Sequence, residues 1–121
     1  MKYEYSFEVL DNDVLIMRLP KEIELVGTFV YVEVSAFGDW ILEEIHSVLN
    51  GEKDYGEVNG NICGLEIRKD TTTVLDNLAE DDKGAFCEIE TIELVNLIHI
   101  WLDKQKEFKK EKIKNCNNLI G

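Results

Sequence analysis

Residues 86–113, FCEIETIELVNLIHIWLDKQKEFKKEKI, read as a short alternating strand that runs directly into one long amphipathic helix. Leu94, Ile98, Trp101, Gln105 and Phe108 recur at steps of three and four, with Val95 and Leu102 beside them, so they share one broad apolar face. That face needs a cover, and upstream strands with alternating apolar and polar residues would supply it as a sheet with its apolar side against the helix. Thr91 stands where a helix cap belongs, and the lysines between 104 and 114 lie near the carbonyl end, where the helix dipole favours cations.

Working outward from that helix, Tyr3, Tyr5, Phe7 and Val9 alternate with Glu4, Ser6 and Glu8. Asp11-Asn12-Asp13 offers a turn into VLIMRL at 14–19, and Pro20 ends the resulting hairpin. TFVYVEVSAF at 28–37 is rich in β-branched and aromatic residues and predicts a third strand, with Val30, Val32, Val34 and Ala36 on one side and Phe29, Tyr31, Glu33 and Ser35 on the other. Gly38 would break it. Asp39 is placed to cap a short helix whose inward stripe is Ile41, Ile45, Val48 and Leu49, ended by Asn50-Gly51.

Asn59-Gly60, between GEV and NICGLEIR, predicts a tight primed turn joining two further strands. TTTVL at 71–75 predicts another strand, DNLAEDDKG at 76–84 a polar loop, and NCNNLIG at 115–121 a frayed tail. The expected fold is a single α+β domain over residues 1–121: a mostly antiparallel sheet of about six or seven strands with one short central helix and one long C-terminal helix packed on it.

Composition narrows the function. Forty-five per cent apolar residues in 121 suit a chain that buries a core. No apolar run approaches the ~20 residues of a bilayer span, and acids at Glu4 and Glu8 do not suit a signal peptide, so the expected compartment is the cytoplasm. Cys63, Cys87 and Cys116 are an odd number without a C-x-x-C pair, which suits neither a disulfide framework nor a zinc site. The net charge is −12, and residues 1–102 alone carry 22 acids against 7 bases. Such a field repels nucleic acid and anionic membrane and attracts basic proteins. The same acidity would also serve solubility alone.

No catalytic motif is complete. His46 and His99 both fall in predicted helices without a partner in an identifiable motif, no phosphate-cradling glycine pattern is present, and neither acidic run has the spacing of a calcium loop. No cofactor and no metal are expected. What remains is carboxylates at accessible helix and loop positions: Asp39, Glu43 and Glu44 on the first helix, with Trp40 among them, which its place in the first turn suits to packing first and to an aromatic interface anchor second; Asp54 and Glu57 before the Asn-Gly turn; and Asp76, Glu80, Asp81 and Asp82 in the long loop.

The starting hairpin, the segment VEVSAFGDWILEEI and the segment CEIETIELVNLIHIWLDKQKEF together resemble the small acidic immunity proteins of bacterial contact-dependent inhibition and polymorphic toxin systems. The resemblance implies a single-domain α+β scaffold, without catalysis, that binds one cognate toxin domain, often a nuclease, in the cytoplasm. The family has no shared catalytic set, so the resemblance assigns no site residue. Two other readings suit the same acidity: a nucleic-acid mimic that blocks a DNA-binding protein or restriction enzyme, with carboxylates in two rows at the phosphate repeat, and a small enzyme with His46 or His99 in a pocket beside a cysteine or acid.

Overall fold

The computed structural model describes residues 2–11, 13–78 and 86–120, with side chains as far as residue 113. Among the described residues, six strands form two antiparallel sheets rather than one. β1 (Ser6–Leu10) and β2 (Val14–Arg18) make a hairpin, while β3 (Gly56–Asn59), β4 (Cys63–Ile67), β5 (Thr71–Asp76) and β6 (Phe86–Glu90) make a four-stranded meander. The helices lie between the two sheets, so the fold is α+β with a helical middle layer.

The expected third strand is a helix. After one 3₁₀ turn at Lys21–Ile23, the chain runs through α1 (Glu24–Phe29), a π-helical turn at Val30–Val34 and α2 (Ser35–Leu49), with a kink at Phe37. The residues that go inside are Ile23, Val26, Phe29, Val30, Glu33, Val34, Gly38, Ile41, Ile45 and Val48. They follow the three-and-four spacing of a helix face, and the alternation of Val30, Val32 and Val34 is superimposed on it. The added residue of the π turn lets the adjacent pairs Phe29-Val30 and Glu33-Val34 both face inward. The Ser35 hydroxyl bridges this turn, donating to the Val30 carbonyl (3.2 Å) and accepting from Trp101 Nε1 (3.2 Å) and Gln105 Nε2 (2.9 Å).

Because the helix begins before Asp39, that residue is not its cap. The end at Asn50-Gly51 is as expected, with Gly51 at φ 82°. The segment Lys21–Leu49 is 29 residues long and apolar enough in length and mean hydropathy (1.4) to cross a membrane, contrary to the sequence reading. Its apolar stripe is the core of this domain, and Glu33 sits within that stripe.

α1 is pressed between the layers. A Cβ on Gly27 would lie 2.8 Å from the Met17 carbonyl oxygen of β2, so only glycine allows the helix and strand to approach this closely. On its other side α1 covers β4, β5 and β6.

α3 (Thr91–Ile120) follows β6 without a loop, as the sequence predicts, and its backbone stays helical to Ile120, in place of the expected frayed tail. Leu94, Val95, Leu97, Ile98 and Trp101 are buried. Trp101 stacks against Phe7 of the hairpin and, edge-on, against Tyr31. The Thr91 hydroxyl ties the helix start to the sheet, donating to the Arg68 carbonyl (2.6 Å) and lying 2.8 Å from the Thr72 hydroxyl.

Glu33 fixes the β3–β4 hairpin. Its fully buried carboxylate accepts the backbone N–H groups of Asn61 (3.0 Å), Ile62 (2.8 Å) and Cys63 (2.8 Å). The turn therefore closes two residues beyond the predicted Asn59-Gly60 site, with Gly60 N–H donating to the Cys63 carbonyl (2.9 Å) around a tip of Asn61 and Ile62. Gly60 is needed for approach rather than for a positive φ: a Cβ there would sit 2.3 Å from the Glu33 carboxyl carbon.

Candidate functional site

Two groups of exposed carboxylates lie near edge strand β3. The first is on α2. Asp39, Trp40 and Glu43 are all exposed, and their spacing places Trp40 and Asp39 each beside Glu43 on the helix surface. Trp40 is 50% exposed, and Phe37, at the kink one turn earlier, is 46% exposed. Kinking here follows from Gly38, which is buried against Leu102 of α3 and leaves the flanking aromatic residues facing out. The result is an aromatic projection rimmed by acids on a rigid helix.

Glu44 is placed differently. It is largely covered and pairs with Lys53 (2.8 Å), beside Gly56 of β3, so it fastens α2 to the sheet edge. Asp54 is exposed in the connection to β3. Residues 35–57 as a whole carry six acids against one base, Lys53.

Glu57 belongs to the second group, on the outer side of the four-stranded sheet. Register places Glu57 opposite Glu66, Glu66 opposite Thr73, and Thr73 opposite Glu88, so three carboxylates share one row across the strands. Glu66 and Glu88 escape a sequence reading that searches loops and helix starts, because they lie inside strands, 9 and 31 residues from Glu57. A tight turn at Asn59-Gly60 would have set Ile62 opposite Glu57, and only the observed turn around Asn61 and Ile62 brings Glu66 there.

Asp76, at the end of β5, accepts the Leu78 N–H (2.9 Å) and so shapes its own turn. It joins neither group. Glu80, Asp81 and Asp82 lie outside the described residues.

Other ionisable groups are local. Glu90 is held well below the usual carboxylate range, at about 2, by hydrogen bonds from the Lys2 ammonium and the Tyr3 hydroxyl, which tie the N-terminal residues to β6. His46 and His99 are exposed on α2 and α3, and neither imidazole makes a hydrogen bond or ion pair among the described residues. No group of three or more His, Cys, Asp or Glu among the described residues is arranged to hold a metal ion.

Burial pushes the Cys63 and Cys87 thiols up to about 11, with Glu33 and Asp76 adding to the effect at Cys63. At pH 8 the thiolate is then on the order of a thousandth of each. Site-resolved mass spectrometry should find iodoacetamide labelling of both residues at least about a hundredfold slower in the folded protein than in urea. Equal rates would show that the thiols are not shielded.

No family model matches the chain, and no solved structure matches it. The chain is similar to a Bacillus cereus protein named an immunity protein, with 81% identity over 114 residues that cover 94% of this chain and 97% of that protein. At that identity, along nearly the full length of both proteins, the chain belongs to the immunity proteins.

Proposed function

We propose that the chain binds a toxin domain stoichiometrically and neutralises it without chemistry of its own, through the acid-rimmed aromatic projection of α2. The observation that carries this reading is the half-exposed Trp40 between Asp39 and Glu43, in a chain of the immunity-protein family. A large aromatic residue that gains burial on binding supplies affinity, and neighbouring carboxylates supply speed and orientation toward a cationic partner. A nuclease domain, whose cleft is built to hold phosphates, is the partner chemistry that fits best, met in the cytoplasm before it reaches nucleic acid. Among the described residues, Glu57, Glu66 and Glu88 form a single row across the sheet rather than the paired rows of a nucleic-acid mimic, which favours the toxin reading.

The test is survival of bacteria that co-express the chain with the toxin domain encoded beside it. Wild type should protect. The double reversal Asp39→Lys, Glu43→Lys should fold normally, because both side chains are exposed, yet lower the association rate at low salt by at least about tenfold and lose protection. Full protection by that variant would remove α2 as the contact surface. Failure of the wild type to bind or protect would overturn the neutralising role.

A further inference from the structure

We propose that the outer face of the β3–β6 sheet is a second docking surface, and that its occupant is a cationic, extended segment of the toxin partner lying across the strands along Glu57, Glu66 and Glu88. This rests on the neutralising role above and adds a contact that the α2 projection does not provide.

Four observations support it. All helices lie against the inner side of this sheet, where Val58, Leu65, Ile67, Val74 and Ile89 are buried in the core, and among the described residues no helix covers the outer side. The row also places two carboxylates directly opposite each other. Glu57 and Glu66 are register partners, and facing like charges on neighbouring strands, with Cβ atoms roughly 5 Å apart, destabilise a sheet. A bound cation would relieve that repulsion.

One positive charge reaches into the row, where the Arg68 guanidinium donates to the Thr73 hydroxyl (3.3 Å), and it meets the repulsion only in part. Arg68 is 3.8 Å from Glu66 and sits over the Tyr55 ring, Glu57 is engaged by the Tyr55 hydroxyl (2.9 Å), and Glu88 has no ion-pair partner among the described residues. Beside the row lies a hollow of about 440 Å³ walled by Glu66, Arg68, Thr73, Leu75, Phe86 and Glu88. Phe86, at its end, is 54% exposed. The hollow therefore combines carboxylates with an apolar wall, which suits a lysine or arginine stem passing over Leu75 and Phe86 to a carboxylate. Four strands span roughly 14 Å, a length that four or five extended residues cover.

The arrangement makes an unusual demand on a test variant. If the row is kept for a partner, neutralising it should stabilise the free protein while weakening binding. The variant Glu66→Gln, Glu88→Gln should melt at the same temperature as wild type or up to about 4 °C higher.

The full chain, labelled with nitrogen-15, is titrated at low salt with hexalysine as the probe. The largest amide shifts should fall at Glu57, Glu66, Thr73 and Glu88, and the double variant should bind at least about fivefold more weakly. Largest shifts on α2 or the hairpin, or unchanged affinity in the variant, would overturn the inference. In the co-expression assay, protection that depends on Asp39 and Glu43 but is indifferent to Glu66→Lys, Glu88→Lys would also overturn it while leaving the neutralising role intact. If wild type gives no protection at all, that role fails, and the hexalysine titration still decides whether the sheet face binds cations.

Discussion

Replacing Glu33 with alanine should unfold the protein or lower its melting temperature by roughly 12 °C or more. The carboxylate is fully buried and accepts three backbone N–H groups at 2.8–3.0 Å. Each hydrogen bond to a charged acceptor contributes about 1.5–3 kcal/mol, and each donor stranded away from water costs about 1–3 kcal/mol. Three together put the loss at ~4 kcal/mol or more, against a total stability of about 5–15 kcal/mol for a domain. Glu33→Gln should fall between, since its amide keeps one oxygen acceptor but turns N–H groups toward donors at the other position. Thermal and urea unfolding followed by circular dichroism make the comparison. An alanine variant that melts within about 2 °C of wild type would show that the turn does not depend on this carboxylate.

Trp40→Ala should have the opposite profile, with stability kept and binding lost. The side chain is half exposed and outside the core cluster, so its removal should move the melting temperature by no more than about 2 °C. A tryptophan at the centre of an interface is typically worth about 2–4 kcal/mol, so affinity for the toxin domain should fall about 30- to 1000-fold. Calorimetric titration measures the affinity, and survival on co-expression reports the consequence. Trp101→Ala is the useful contrast: that ring is 1% exposed and hydrogen-bonded to Ser35, so its loss should act through the fold. Unchanged affinity in Trp40→Ala would show that the projection is not the anchor.

The two halves of the chain differ in how openly the sequence states them. α3 is legible because its apolar face keeps one period for about four turns, from Leu94 to Phe108, and because Phe86–Glu90 alternates with no competing pattern. Lys21–Phe37 is not, because two periods overlap there. Val30, Val32 and Val34 alternate as in a strand, yet the residues buried are those spaced as on a helix, and β-branched content tips a local reading the wrong way. Glu33 compounds the difficulty: in a strand it would be an ordinary outward charge, and its burial makes sense only once the turn some 30 residues later supplies three donors.

The acidic surface was partly legible for a related reason. Asp39, Trp40 and Glu43 are close in sequence and stay close on one helix. Glu66 and Glu88 become neighbours of Glu57 only through strand register, a relation that no local spacing reveals.

The Glu33 contact also bears on cooperativity. The tip of a hairpin is ordinarily where a small protein opens first, since its amides face solvent and few tertiary contacts hold them. Here the tip is fastened to the central helical layer, so β3 and β4 cannot fray without stranding an anion inside the domain. Edge strand and central helix thus open as one unit, and the strand that separates the α2 projection from the sheet face keeps both in fixed relation to each other.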